Sequence, residues 1–143
     1  MNELDFYRNL YKNTDTGYDA VTLLLPKVQD EKLHHDMVLH MDGYRHFSRV
    51  AREQLKKANQ TAKKVPTVQH IPARVGMIMH TMFDSSREHI AELMINGSNM
   101  SILEMRKQLN RLREQRGTEE AADICQKMID FEQDNVKRMQ NYI

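Results

Sequence analysis

Leu33-His34-His35-Asp36-Met37-Val38-Leu39-His40-Met41-Asp42-Gly43-Tyr44-Arg45-His46-Phe47-Ser48-Arg49-Val50-Ala51-Arg52-Glu53-Gln54-Leu55 is the stretch that decides the fold. Leu33, Met37, His40, Tyr44, Phe47, Ala51 and Leu55 recur at alternating steps of four and three, with charged residues between them. That spacing puts them on one stripe of an α-helix. The pattern fades into Lys56-Lys57-Ala58-Asn59, and cations suit the negative end of a helix dipole. Upstream, Asp30 reads as the N-cap with Glu31 in the first turn.

Working outward, a first helix is expected over about 2–29, with Tyr7, Leu10, Thr14, Tyr18, Val21, Leu24 and Val28 on its stripe. Pro26 kinks or ends its last turn by removing a hydrogen bond. Downstream, residues 60–72 read as a polar linker holding Pro66 and Pro72. A third helix is expected over about 73–116, its face formed by Met79, Phe83, Ser86, Ile90, Leu93 and Gly97 and continued by Met100, Leu103 and Leu109. Gly97-Ser98-Asn99 in its middle bends the helix or admits a close neighbour. Gly117 fits a C′ position, and Thr118-Glu119-Glu120 starts a fourth helix over 118–142. That helix turns Ala121, Ile124, Met128, Phe131, Asn135, Met139 and Tyr142 inward.

Short connections at Asp30 and Gly117 force two helical hairpins. The expected fold is all-α: one domain over 1–143, an antiparallel up-down-up-down four-helix bundle with helices over about 2–29, 30–59, 73–116 and 118–142. Composition agrees. The 143 residues suit one domain with a real core. Five Gly and three Pro are too few for the turns of a strand-rich fold. A net charge of +1 gives no reason to expect nucleic acid or an anionic membrane as partner. The lone Cys125 forms no internal disulfide and reads as a small buried hydrophobe. Acidic residues in Met1-Asn2-Glu3-Leu4-Asp5 do not resemble a secretory signal. The apolar run at Val21–Leu25 is far short of the ~20 residues of a membrane helix. A cytoplasmic location is expected.

Matching levels across the hairpins places residue 40 opposite 18 and residue 97 opposite 135. Tyr18, His40, Tyr44, Glu92, Glu132 and Asn135 then fall near one central layer. Polar groups there need internal partners or water, since an unpaired buried one costs about 1–3 kcal/mol. The plain reading is that His40 and the tyrosines bond one another or water while Glu132 sits in solvent at the flank of its stripe. The sharper reading is a ligand or metal site, because bundles place cofactor ligands in such a layer.

Three segments carry a resemblance: Asp84-Ser85-Ser86-Arg87-Glu88-His89-Ile90-Ala91-Glu92-Leu93-Met94-Ile95-Asn96-Gly97-Ser98, Leu24-Leu25-Pro26-Lys27-Val28, and Asp130-Phe131-Glu132-Gln133-Asp134-Asn135. They resemble small uncharacterised bacterial proteins of the ferritin-like superfamily. The resemblance implies fold and brings no established activity. Ferritin-like di-iron proteins use Glu on two helices and Glu-x-x-His on the other two. Here Glu31-Lys32-Leu33-His34 is the only Glu-x-x-His, and it lies at a helix start. Glu132-Gln133-Asp134-Asn135 carries Asn where the metal-binding His would stand, His89-Ile90-Ala91-Glu92 reverses the order, and the first helix offers Asp15 and Asp19.

The expectation is therefore a ferritin-like bundle without a complete di-iron ligand set. It acts as a structural or interaction protein rather than an enzyme. The breadth of the third helix's apolar face, through Phe83, Ile90, Leu93, Met94 and Ile95, points to a homodimer. The alternative is a protein that oxidises, stores or senses iron or copper, with His40, Glu132, Asn135, His89 and Glu92 as candidate ligands. Copper enters through methionine and histidine together. His34, His35, Met37, His40 and Met41 form one such group, and Met77, Met79, His80 and Met82 another. Methionine at helical spacing more commonly fills a core, and Met37, Met79, Met100, Met128 and Met139 are expected to do so. Arg106, Lys107, Arg111, Arg113 and Arg116, interleaved with Glu104 and Glu114, read as a solvated face.

Overall fold

The computed structural model describes residues 2–63 and 84–143. Within them lie four α-helices: α1 (Glu3–Leu24), α2 (Glu31–Lys57), α3 (Arg87–Arg113) and α4 (Glu119–Met139). Single 3-10 turns follow α1 at Leu25–Lys27 and α4 at Gln140–Tyr142. Residues 73–83 of the expected third helix, Met79 and Phe83 among them, lie outside the described residues, as does the group Met77, Met79, His80 and Met82. No helix of the described residues is long and apolar enough to cross a membrane.

Side chains cap three of the helices. Asn2 Oδ1 accepts from Asp5 N at 2.8 Å, Asp30 Oδ1 from Leu33 N at 2.9 Å, and Ser86 Oγ from His89 N at 3.2 Å. Each satisfies an amide that the helix cannot. The cap bond, together with Arg87, holds the Asp30 carboxyl below its usual range. Thr118 does not cap α4; its hydroxyl turns back and donates to the carbonyls of Leu112 and Gln115. Gly117, at φ 81°, supplies the left-handed residue of that turn.

Contacts along the helices fix their directions. Arg8 donates to Gln60, just beyond the end of α2, while Thr22 meets Met41 within α2, so α1 and α2 run oppositely. Cys125 reaches Met105 and Glu132 reaches Ser98, so α3 and α4 also run oppositely. Between the hairpins, Arg87 pairs with Asp30 at 3.4 Å and Ser98 lies 3.4 Å from His40. The two pairs advance together, so α2 and α3 run in the same direction. Gln54 bonds Glu120 and Tyr142 bonds Asp36, which sets α4 against α2. The order is up-down-down-up, which corrects the expected up-down-up-down. The tight turns at 25–30 and 114–118 dictate direction within each hairpin, but the long stretch 58–86 does not dictate it between them.

The core bears out α2 at every expected position: Leu33, Met37, His40, Tyr44, Phe47, Ala51 and Leu55 are all buried. On α1, Tyr7, Leu10, Thr14, Val21 and Leu24 are buried as expected and are joined by Phe6 and Tyr11, while Tyr18 and Val28 are half-buried. α3 requires a correction. Its buried face is Ile90, Ala91, Met94, Ser98, Ser101, Met105, Gln108, Leu109 and Leu112. Leu93 is half-buried and Gly97 exposed, while Met100 and Leu103 are 74% and 59% exposed. The stripe is shifted by one residue because Ser98, Ser101 and Gln108 occupy inward positions where an apolar pattern looks for hydrophobes. On α4 the shift is milder: Cys125, Ile129 and Glu132 are buried, while Ile124 and Phe131 are only partly so. Met37, Met128 and Met139 are core residues as expected; Met100 is not. Arg106, Lys107, Arg111, Arg113 and Arg116 are exposed.

Candidate functional site

The polar layer forms around one carboxylate. Glu132 on α4 is completely buried. Its Oε1 accepts from Ser98 Oγ at 3.1 Å and from Asn135 Nδ2 at 3.0 Å, and the Tyr44 hydroxyl donates to it across both oxygens at 2.9 and 3.1 Å. Each helix spacing serves the cluster: Asn135 stands one turn beyond Glu132 and Tyr44 one turn beyond His40, which stacks each pair on one face. Asn135 Oδ1 in turn accepts from Arg138 Nη1 at 3.2 Å. Donors converging from three helices replace the water that a buried carboxylate loses. Burial and the neighbouring Glu132 charge push the Tyr44 hydroxyl far above its ordinary range, so it stays a donor.

His40 completes the network through one nitrogen. Its Nε2 lies 3.1 Å from the Tyr44 oxygen, 3.4 Å from Ser98 Oγ and 3.4 Å from Glu132 Oε1. Tyr44 and Ser98 each have a single hydroxyl hydrogen and give it to Glu132, so toward His40 their oxygens are acceptors. All three neighbours of Nε2 therefore accept, and the hydrogen-bond network assigns the ring proton to Nε2. Nδ1 is buried and has no hydrogen-bond partner. The ring edge is closed by Phe131, T-shaped against His40 at 5.8 Å and against Tyr44 at 5.6 Å.

Two glycines make this packing feasible. A Cβ on Gly17 of α1 would stand 2.7 Å from Tyr44 Cζ, and one on Gly43 of α2 would stand 2.0 Å from Phe131 Cε1. Gly97, the residue that the sequence marks for a close approach, has nothing within 4 Å of its would-be Cβ.

Next to the layer, α1 and α3 leave a cleft of about 410 Å³. His40, Tyr44 and Ser98 line it together with Val21, Leu93 and Met94. Its volume falls in the range of roughly 300–1,000 Å³ usual for small-molecule sites, and apolar walls with a few convergent polar groups are their usual lining. Among the described residues of the lining, the charged side chains are Asp19 and Glu104.

Of the candidate ligands, the structure brings His40, Glu132 and Asn135 together. It separates His89 and Glu92 from them: these pair with each other at 3.9 Å, with Glu92 well exposed. Glu92 lies six residues before Ser98, about 9 Å of helical rise from the layer. Tyr18 also leaves the layer; its oxygen accepts from Arg45 at 2.8 Å, with the guanidinium 5.1 Å over its ring. Glu31, His34 and His35 are exposed, while Met37 and His40 face the core. Ser98 is the member that sequence reasoning misses; its only signal is its spacing from Met94, Ser101 and Met105. Among the described residues, no group of three or more His, Cys, Asp or Glu side chains is placed to hold a metal ion. Cys125 is buried, its thiol donating to Met105 O at 3.2 Å, and burial pushes it up to about 12.

No family model, curated protein or solved structure matches the chain.

Proposed function

We propose that the chain is a ferritin-like bundle that binds a small organic ligand in the α1–α3 cleft and does not transform it. The ferritin-like reading is supported by the helix order, in which two hairpins are joined by a single long crossover, as in that class. The observation that carries the binding role is the cleft itself, where the polar side chains of His40, Tyr44 and Ser98 meet apolar walls of Val21, Leu93 and Met94.

Against a di-metal centre stands the donor set. The layer offers one carboxylate and one imidazole, where di-iron bundles supply four carboxylates and two imidazoles. The lone carboxylate is already occupied by Tyr44, Ser98 and Asn135. Iron or copper binding is therefore the weaker alternative, and metal analysis of untagged protein after reconstitution tests it: stoichiometric metal lost in His40→Ala would restore it.

The cleft reading is tested by titrating hexanol, a small neutral amphiphile, into labelled protein while following backbone amide shifts. Shifts at Gly17, Ala20 and Ser98 that disappear in Gly97→Trp are expected, since Gly97 has room for a side chain at the cleft wall. No shifts, or the same shifts in both proteins, overturn it.

A second reading, self-association into a homodimer, is favoured by the exposure of Met100 and Leu103 on α3. Sedimentation as a monomer at high concentration would remove it.

A further inference from the structure

We infer that a second site, the groove between α1 and α2, binds a soluble phosphate monoester. The groove measures about 270 Å³ and opens on another face of α1. That helix turns Tyr11, Thr14 and Tyr18 to it, and Thr16, Gly17 and Ala20 to the α1–α3 cleft.

Three observations identify the ligand. First, α2 supplies Arg45, Arg49 and Arg52 to the lining. Steps of four and three stack them on one helical face, about 10 Å from first to last. Like charges at that spacing oppose one another, and an anion among them turns the repulsion into attraction. Second, Arg49 and Arg52 are exposed and have no hydrogen bond or ion pair to any described residue. Asp15 is the one acid among the described residues of the lining, and it already has an interaction of its own. Third, Arg45 is held in place beforehand. Its Nη2 donates to the Tyr18 oxygen at 2.8 Å, its guanidinium lies 5.1 Å over the Tyr18 ring, and Asp42 stands 3.8 Å from its Nη1. A side chain already ordered loses less freedom on binding. Arg45 thus anchors the groove while Arg49 and Arg52 supply the charge.

Guanidinium groups match phosphate oxygens with paired N–H donors. A monoester phosphate carries about −1.5 to −2 charges at pH 7, which two open arginines balance. The Ser48 hydroxyl in the lining adds a donor, and Tyr11 and Tyr18 add aromatic surface for the body of the ester. A bilayer surface is read by clusters of about 4–8 cations; three in a recess fit a single phosphate.

The test is titration of phenyl phosphate into the full, nitrogen-15-labelled chain at pH 7.5. Saturable amide shifts at Thr14, Ser48 and Arg49 are expected. Arg49→Gln/Arg52→Gln should weaken binding at least about tenfold through lost charge-assisted hydrogen bonds. Arg106→Gln/Arg111→Gln removes the same charge from exposed positions of α3 and should leave affinity within about twofold, since salt screens distant charges. Equal weakening in the two variants reduces the effect to general attraction by positive charge and overturns the site, as does an absence of saturable shifts. Cosedimentation with phosphatidate vesicles without binding of phenyl phosphate assigns the arginines to a membrane surface and also overturns it. None of these outcomes bears on the α1–α3 cleft, which hexanol tests.

Discussion

Phe131 occupies the space into which a side chain on Gly43 would project, its Cε1 lying 2.0 Å from where a Cβ would stand. The contact ties α2 to α4 at the level of the polar layer, because the same ring packs edge-on against His40 and Tyr44. A glycine within a helix costs about 1 kcal/mol relative to alanine, so its presence here reflects the ring beside it.

Gly43→Ala should accordingly destabilise the protein by about 1–3 kcal/mol through overpacking, despite the better helix propensity of alanine. Gly97→Ala, with open space around its Cβ, should instead stabilise by up to about 1 kcal/mol. Urea denaturation of the two variants checks the pair. A stabilised Gly43→Ala would contradict the packing described.

Glu132→Ala strips the layer of its acceptor and leaves the Tyr44, Ser98 and Asn135 donors facing a void. A loss of at least about 3 kcal/mol is expected, since each of the three buried donors left unmatched costs about 1–3 kcal/mol. Glu132→Gln, which adds donors where only donors converge, should cost less, about 1–3 kcal/mol. A loss below about 1 kcal/mol in Glu132→Ala, read from the same urea curves, would mean that the carboxylate is not buried as described.

The register of α3 is testable through two methionines. Met105 is fully buried and Met100 is 74% exposed. Met105→Ala should cost about 2–5 kcal/mol, whereas Met100→Ala should stay within about 0.5 kcal/mol of the parent. The opposite ranking in thermal unfolding would restore the stripe that the apolar pattern suggests.

Cys125 provides a pH dependence. Its thiol lies at about 12 in the folded chain against an ordinary value of 9.0. Below about pH 9 both states keep the proton and the contribution to stability is fully present. As the pH rises from 9 towards 12 the unfolded chain releases the proton while the folded chain holds it, so stability falls. Tyr44, also raised, adds to the same alkaline loss. The fall should be shallower in Cys125→Ala, as followed by urea midpoints between pH 8 and 11. At pH 8 a thiol reagent should leave the folded protein unmodified and react after denaturation; rapid modification of folded protein would contradict the burial.

How much of this was legible beforehand depended on what each position announces. The α2 stripe is complete because its inward residues, apart from His40, are apolar and its outward ones charged. α3 misleads because Ser98, Ser101 and Gln108 point inward while Met100 and Leu103 point out, so a search for hydrophobes settles one residue away. The central layer survived an error in helix direction: reversing one hairpin against the other exchanges the bundle's ends and leaves its middle in place, so His40, Glu132 and Asn135 still meet. His89 and Glu92 stand apart because the actual register puts Glu92 about 9 Å of helical rise from the layer, on an exposed face where it pairs with His89. The close-approach glycines, Gly17 and Gly43, gave no sign in sequence, since what each accommodates is a ring on another helix.

The central claim is that the α1–α3 cleft beside His40, Tyr44 and Ser98 takes up a small ligand. Nitrogen-15 NMR of the histidine side chains tests it most directly, with His40→Gln identifying the signal. The account predicts that the His40 resonances move on addition of hexanol. His40 resonances unmoved at saturating hexanol would contradict it.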